Sequence, residues 1–313
     1  MNILQECSGA KRIGISGHIR PDGDCVGACL SLYLYLQKCL PEAEVGVFLE
    51  QPADIFSEIK GFSAIDSTFP PQQPFDVYFA LDCAAERLGG AQEYFARAKK
   101  KINIDHHVSN PGCGDINYIM PKVGSTCELI YDLIDKAYLD KEIAMAIYIG
   151  MIHDTGVFQY SNTTPDTMKK AADLISYGFD FSRLIEETFY QKTYMQTQIM
   201  GQVLVESTSL CDGRCMLGVV TGEMRDKYGA TPKDFDGIVN QLRNIKGVDC
   251  AIFIYETESG EYKVSLRSNE KVDVAKVVSH FDGGGHVRAA GCTMKGTVQE
   301  CVDRLLAHIG TQL

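Results

Sequence analysis

The first half of the chain alternates short apolar runs with stretches of helical periodicity. The runs are rich in β-branched and aromatic residues, and we expect strands at 12–18, 45–50, 75–83 and 101–105. We expect helices at about 24–40, 91–100, 125–138, 141–152 and 165–177. Continuous apolar strands separated by helices predict a parallel sheet covered by helices on both faces.

The pattern changes in the second half. Residues 181–206 have helical spacing, many polar side chains and no proline, which predicts a helix that connects two domains. Beyond it we expect strands at 215–220, 249–257 and 261–267, the last two forming a hairpin across Glu258-Ser259-Gly260. We expect helices at 232–245, 274–280 and 298–309, with a glycine-rich turn at 282–286.

The predicted architecture is therefore α/β with two domains. We expect a parallel-sheet catalytic domain at 1–185, a linker helix at 186–207 and a smaller α/β domain at 208–313. Clefts between domains are common ligand sites, so we expect the active site in the cleft between them.

Composition narrows the class of protein. The chain has 313 residues, of which 45% are hydrophobic, and no apolar stretch approaches the roughly 20 residues of a membrane-spanning helix. Its first residues lack the pattern of an export signal, so we predict a cytoplasmic protein. The 12 cysteines are scattered without a Cys-x-x-Cys pair, which favours reduced thiols over a structural zinc site.

The net charge is −11. A protein that binds long nucleic acid normally carries a basic face, so we do not expect long nucleic acid as the main partner. An acidic chain is compatible with a cluster of carboxylates that bind divalent cations, since the cations then supply positive charge locally.

Metal-type ligands follow the predicted strands. They occur in four segments: His18-Ile-Arg-Pro-Asp22-Gly-Asp24, Asp82, Asp105-His106-His107, and Asp154 after an apolar helix. The carboxyl ends of parallel strands meet at one edge of the sheet, so the first three segments are expected to face one crevice.

Each segment has a structural interpretation when taken alone. Asp22 and Asp24 suit a turn and a helix N-cap, Asp82 suits a turn, and a lone His18 suits a satisfied core position. Together, however, their carboxylates would repel one another unless cations neutralised them. Oxygen and imidazole ligands favour Mn²⁺ or Mg²⁺ over a thiolate zinc site, with Mn²⁺ favoured by the histidines. Two such ions about 3.5–4 Å apart can share a carboxylate and promote displacement at phosphorus.

These four motifs, in this order, resemble those of the DHH phosphoesterase superfamily. The second domain resembles the DHHA1 domain, whose Gly-Gly-Gly-His signature is present at 283–286. Within the superfamily, the chain is most similar to the compact two-domain group of NrnA-type oligoribonucleases (nanoRNases) and 3′-phosphoadenosine 5′-phosphate (pAp) phosphatases.

The resemblance implies two metal ions that share Asp82. One ion would be held by His18, Asp22 and Asp82, and the other by Asp24, Asp82, His106 and Asp154. Asp82, Asp105 and His107 are the expected catalytic residues, because His107 would contact the substrate phosphate or the leaving oxygen and Asp105 would orient its neighbours. His153 is outside the motif, and we expect it to be structural.

The second domain is expected to bind the substrate. Three consecutive glycines let backbone N–H groups converge on an anion, although they would also suit a helix C-cap and turn. Arginine suits bidentate phosphate contacts, although either arginine could be a plain surface charge. The predicted substrate-binding residues are Arg267, Ser268, Gly284, Gly285, His286 and Arg288.

The resemblance implies metal-assisted hydrolysis of short oligoribonucleotides, of about two to five units, from the 5′ end to mononucleotides. It equally implies dephosphorylation of pAp, and pApA is a further expected substrate. The alternatives are a cyclic di-AMP phosphodiesterase and, from another class, a catalytically silent nucleotide-binding module. A RecJ-type exonuclease is less consistent with so short a chain. A DHH-type pyrophosphatase would not be expected to carry the GGGH motif. No membrane partner is expected, and a homodimer is left open.

Overall fold

The structure is a computed structural model that describes residues 1–258 and 260–313. It contains two compact units, Met1–Gln191 and Lys192–Leu313. In the part of the chain that is described, no helix is both long and apolar enough to cross a membrane.

The first unit is built on a six-stranded, fully parallel sheet. Its strands are β1 (Arg12–Ser16), β2 (Glu44–Phe48), β3 (Ile65–Asp66), β4 (Val77–Leu81), β5 (Lys100–Asp105) and β6 (Ile116–Ile119). Its helices are α1 (Ile3–Glu6), α2 (Gly23–Cys39), α3 (Gln92–Arg97), α4 (Thr126–Leu133), α5 (Lys141–Asp154), α6 (Pro165–Ile175) and α7 (Phe181–Ile185). The strand order is β3-β2-β1-β4-β5-β6, which places β1, β4 and β5 side by side.

The central strand β4 is buried on both faces, which explains its uninterrupted apolar sequence. Phe79 packs into the core formed with helices α2, α4 and α5, where Leu30 and Ile147 are also fully buried. Tyr78 points to the opposite face and packs with Phe95 of α3. Alternate residues of a strand point to opposite faces, so a strand covered on both sides favours apolar residues at successive positions.

The second unit contains a mixed six-stranded sheet. Its strands are β7 (Thr208–Leu210), β8 (Cys215–Val220), β9 (Cys250–Glu258), β10 (Glu261–Ser268), β11 (Gly284–His286) and β12 (Ala289–Lys295). Its helices are α8 (Tyr194–Val205), α9 (Gly222–Tyr228), α10 (Ile238–Arg243), α11 (Val274–Ser279) and α12 (Val298–Ile309). The strand order is β11-β12-β10-β9-β8-β7, and β8 and β9 run parallel while the other pairs are antiparallel.

This sheet also has a hydrophobic core on each face. One core joins the sheet to α11 and α12, and the other joins it to α8, α9 and α10. The predicted α/β class, with a parallel sheet covered on both faces and a smaller second α/β unit, is confirmed. The predicted hairpin is formed by β9 and β10, but Ser259 of its turn lies outside the described residues.

Several predicted elements differ in the structure. The single helix predicted at 181–206 is three pieces, α7, a π-helical turn at Glu186–Tyr190 and α8, because Thr193 and Gln196 form a capping box that starts a new helix. The helix predicted at 232–245 is a 3₁₀ turn followed by α10, with Gly237 in the left-handed region between them. The glycine-rich turn at 282–286 ends in a short strand, β11, and strands β3, β6, β7 and β12 were not predicted.

Candidate metal centre

Three neighbouring strands end at the predicted ligands. His18 lies in the loop after β1, Asp82 directly follows β4, and Asp105 is the last residue of β5. Because β1, β4 and β5 are adjacent and parallel, the three segments share one edge of the sheet, as the sequence predicts.

Helix α2 begins at this edge. Asp22 is its N-cap, and Oδ1 of Asp22 accepts hydrogen bonds of 3.1 Å from the backbone N–H groups of both Asp24 and Cys25. Asp22 therefore caps α2, and its Oδ1 also lies 3.6 Å from Nε2 of His18. Asp24, in the first turn, is almost fully buried. Asp154 is the last residue of α5, a helix that packs against α2.

The two carboxylate oxygens of Asp82 face different histidines. Oδ2 lies 3.4 Å from Nε2 of His18, while Oδ1 lies 3.6 Å from Nε2 of His106 and 3.5 Å from Nδ1 of His107. Nε2 of His106 also lies 3.1 Å from Asp154 and 3.9 Å from Asp24. Asp82 thus stands between two groups of side chains.

Among the described residues, three sets of side chains have donor atoms close enough to hold a metal ion, with every donor within 4.8 Å of the others in its set. The sets are His18, Asp22 and Asp82; Asp24, His106 and Asp154; and Asp82, Asp105, His106 and His107. The structure therefore brings together all eight of the ligand and catalytic residues predicted in the first unit.

The histidines are oriented as metal ligands usually are. Nδ1 of His18 lies 2.8 Å from the carbonyl of Ile19, and Nδ1 of His106 lies 3.2 Å from the carbonyl of Val123. A hydrogen bond from Nδ1–H leaves the lone pair of Nε2 directed at the carboxylates. Nε2 of His106 is buried and hydrogen-bonds to none of the residues that the structure describes. A buried nitrogen without a hydrogen-bond partner suits a metal ligand, since a cation bound there could also be held by the neighbouring carboxylates.

The carboxylates destabilise one another when no cation is present. Burial raises the pKa of Asp24 well above its usual range, and the nearby charges of Asp82 and Asp22 raise it further. The pKa of Asp154 is raised well above its usual range by the same two causes, burial and then the charges of Asp24 and Asp82. A divalent cation would remove this penalty, so the donor set and its charge fit a metal centre.

Sequence reasoning missed three side chains of this site. Thr126 begins α4, where its hydroxyl donates a 2.9 Å hydrogen bond to Oδ1 of Asp82. The backbone N–H groups of Thr126 and Cys127 donate to the two oxygens of Asp24, at 2.7 and 2.9 Å. Asn103 and Asn110 are buried and hydrogen-bonded to each other. The available signals were a polar residue within the apolar run of β5 and a Ser-Thr pair at the predicted start of a helix.

His153 is placed as expected for a structural residue. Its ring contacts the rings of Phe56 and Phe189 edge to face, and Nε2 lies 3.2 Å from the hydroxyl of Thr188. A side chain at Gly23 would collide with it. The ring therefore packs beneath the first turn of α2.

In the second unit, five of the six predicted substrate-binding residues lie on the two strands that flank β12, and Arg288 lies in the turn between β11 and β12. Arg267 and Ser268 end β10, which pairs with β12, and Gly284, Gly285 and His286 form β11, which also pairs with β12. The guanidinium of Arg288 donates to the carbonyl of Val272 at 3.0 Å and to the hydroxyl of Ser268 at 3.4 Å. Ser268 is buried, and its hydroxyl is hydrogen-bonded to the carbonyl of Val272.

The glycines of β11 differ in what surrounds them. A Cβ at Gly285 would lie 2.5 Å from the carbonyl oxygen of Ala289, and its φ is +142°. A Cβ at Gly284 would meet nothing within 4 Å. Gly285 is thus required by the packing of β11, whereas the backbone of Gly284 is open on the exposed side.

The fold and the cluster define a class of enzyme: phosphoester hydrolases built on a DHH domain. The model of the DHH family, N-terminal domain, matches residues 12–151, and that of the DHHA1 domain matches residues 214–313. The chain belongs to this DHH phosphoesterase family, in the form that joins a DHH domain to a DHHA1 domain.

Two curated relatives that match nearly the whole chain carry the same description. The bifunctional oligoribonuclease and PAP phosphatase NrnA of Thermus thermophilus is 31% identical over 307 residues, which cover 96% of this chain and 90% of the relative. The protein of the same description from Bacillus subtilis is 27% identical, covering 94% of this chain and 92% of the relative. A solved structure, an exopolyphosphatase-related protein from Bacteroides fragilis, superposes with a TM-score of 0.91 at 28% identity, covering 99% of this chain and 94% of that one.

Proposed function

We propose that this protein hydrolyses short oligoribonucleotides, including pApA, to mononucleotides from the 5′ end, and removes the 3′-phosphate of pAp. The observation that carries the proposal is the position of Asp82, whose two oxygens face separate histidine–carboxylate groups. The relatives described as NrnA, which match nearly the full chain, support the choice of substrates.

In this proposal the first unit holds two divalent cations, with Mn²⁺ preferred and Mg²⁺ accepted. His18 and Asp22 would hold one, Asp24, His106 and Asp154 would hold the other, and Asp82 would contribute to both. Once bound, the ions supply positive charge at the phosphate and lower the pKa of a water nucleophile.

The remaining residues of the cluster position the substrate and each other. The Nδ1–H of His107 donates to Asp105 at 2.7 Å, which directs Nε2 away from the carboxylate. In the proposed mechanism, Nε2 of His107 contacts the substrate phosphate or the leaving oxygen. Asp105 keeps the ring in place. Burial alone would lower the pKa of His107, but the hydrogen bond to Asp105 and the nearby charges of Asp82, Asp105 and Asp24 together raise it.

In the second unit, we propose that the exposed edge formed by Gly284, Gly285 and His286 binds a phosphate through backbone N–H groups. Arg267, on β10, and Arg288, in the turn between β11 and β12, would supply positive charge. Arg288 is already oriented by two hydrogen bonds, so little side-chain entropy would be lost on binding. Ser268 acts by holding Arg288.

One panel of substrates tests the proposal. The protein is incubated with Mn²⁺ and pApA, pAp, a 5′-phosphorylated five-nucleotide RNA, cyclic di-AMP or a long single strand, and products are resolved over time. We expect two AMP per pApA, AMP and phosphate from pAp, and mononucleotides released singly from the short RNA. Exclusive turnover of cyclic di-AMP, internal cleavage of the long strand, or no turnover at all would contradict it.

Two variants test which residues are responsible for turnover and for substrate binding. Asp82→Ala should abolish turnover of every substrate, because it removes the residue common to both metal sets. Arg288→Ala should chiefly raise KM, and an unchanged KM for every substrate would contradict the phosphate-binding role.

A further inference from the structure

Two buried asparagines connect the turn at Asp82 to His107. Asn103 is fully buried in β5, and Asn110 lies in the loop after His107 with 8% of its surface exposed. Burying an amide side chain costs free energy unless its donors and acceptor are hydrogen-bonded. The hydrogen-bond partners of these two amides therefore indicate which parts of the site they hold in place.

Asn103 ties down the backbone on both sides of Asp82. Its Nδ2 donates to the carbonyl of Ala80 at 3.0 Å and to the carbonyl of Cys83 at 2.9 Å. Between these carbonyls, Asp82 has a φ of +59°, in the left-handed region that non-glycine residues rarely adopt. A conformation of that kind persists only when neighbouring groups enforce it, and the two amide hydrogen bonds do so.

Asn110 continues the connection toward His107. Its Nδ2 donates to Oδ1 of Asn103 at 3.1 Å and to Oδ2 of Asp105 at 2.5 Å. The other oxygen of Asp105 accepts from the ring Nδ1–H of His107 at 2.7 Å and from the backbone N–H of the same residue at 3.0 Å. Asp105 is fully buried, so its orientation is set by these contacts.

We propose that Asn103 and Asn110 are positioning residues for the reaction. Asn110 fixes the carboxylate of Asp105 and through it the ring of His107. Asn103 fixes Asn110 and, separately, the turn that presents Asp82 to both metal sets. The inference rests on the proposed function, in which His107 contacts the substrate phosphate.

The two residues have different expected effects. Asn110→Ala should lower kcat for pApA about 10- to 100-fold, the range typical of outer partners of a metal site, while Mn²⁺ affinity changes little. Asn103→Ala should lower both kcat and Mn²⁺ affinity, because it also releases the turn at Asp82. Asn117→Ala is the matched control, since the exposed side chain of Asn117 forms its hydrogen bonds among the described residues with the backbone of Gly114, and it should match the wild type in both kcat and Mn²⁺ affinity.

A double-mutant cycle separates positioning from general destabilisation. If Asn110 acts through His107, Asn110→Ala should change kcat by less than about twofold in a His107→Ala background. Equal losses of kcat in both backgrounds would overturn the proposal. Melting temperatures are recorded for each variant, and if Asn103→Ala does not fold, the Asn110 cycle decides the question.

A structural measurement decides the inference even without turnover. In metal-free protein labelled with ¹⁵N-histidine, and with His107→Ala used to assign the signal, the ring of His107 should show one ordered state in which Nδ1 carries a proton. Asn110→Ala should give a mixture of ring states, and Asn117→Ala should not. Identical ring signals in wild type and Asn110→Ala would overturn the inference, whereas absent turnover with the expected signals would count only against the proposed function.

Discussion

The hydroxyl of Thr126 donates a 2.9 Å hydrogen bond to Oδ1 of Asp82, and both residues are fully or almost fully buried. This bond occupies the oxygen that faces His106 and His107, so it sets the direction of the remaining lone pairs. Thr126→Val, which keeps the shape and removes the donor, should lower kcat for pApA about tenfold or more. Thr126→Ser keeps the donor and should stay within about threefold of the wild type. Equal activity of the valine and serine variants would show that the hydroxyl is not required.

Divalent cations should stabilise the protein strongly. The metal-free cluster contains buried carboxylates whose pKa values are raised, and a ligand at 100 times its dissociation constant stabilises by about 2.7 kcal/mol. Mn²⁺ should therefore raise Tm by several degrees, and a chelator should reverse the change. The Tm of Asp82→Ala should respond little to Mn²⁺. An identical Mn²⁺-induced rise in this variant would place the stabilising metal elsewhere.

Gly284 and Gly285 form a natural pair for testing the phosphate-binding edge. Gly285→Ala should distort β11, because the new Cβ would lie 2.5 Å from a backbone oxygen, and it should lower Tm. Gly284→Ala has room and should leave Tm unchanged, but its methyl group would stand where a phosphate approaches the backbone. We expect Gly284→Ala to raise KM for pApA about tenfold with little change in kcat. Unchanged KM would exclude close approach of the substrate at Gly284.

Residues 269–272 form a loop whose Val272 carbonyl accepts a hydrogen bond from Arg288, and this loop should be less stable at acidic pH. Burial alone would raise the pKa of Asp249, but backbone N–H groups of Glu270, Lys271 and Val272, each at 2.9 Å, outweigh it and lower the pKa. A lowered folded-state pKa adds stability above the unfolded value, about 3.9, and that stability is lost as pH falls through the folded value.

Asp249→Asn should therefore destabilise the protein by about 1–3 kcal/mol at pH 7, measured by urea unfolding. The difference from the wild type should shrink as the pH falls below about 3.9 towards the lowered folded-state pKa of Asp249. Asp236→Asn is a suitable control, because that carboxylate is exposed and its 3.5 Å ion pair with Lys192 should contribute little. A difference that stays constant with pH would mean that the charge of Asp249 is not involved.

The candidate metal ligands could be predicted from the sequence because several of them occur at the ends of predicted strands. His18, Asp82 and Asp105 each come at or just after the end of an apolar run, and parallel strands bring such positions to one edge. Helix α2 was predicted almost to the residue, since Asp22 is a good N-cap and the buried helix that follows is long.

Other features depend on tertiary contacts that periodicity does not reveal. Strand β12 is rich in alanine and glycine, which have low strand propensity, and it forms because β10 and β11 pair on either side of it. The roles of Asn103 and Asn110 depend on which carbonyls and carboxylates the fold brings near them. The left-handed backbone of Asp82 has no local sequence signal, because a neighbouring strand enforces it.

The proposed function requires two divalent cations at the cluster divided by Asp82. A calorimetric titration of metal-free protein with Mn²⁺, with pApA hydrolysis followed in the same samples, tests this requirement. We expect two Mn²⁺ per chain, turnover that rises as the second site fills, and loss of both in Asp82→Ala. One ion per chain with full turnover, or undiminished binding in Asp82→Ala, would show that Asp82 does not join two metal sites.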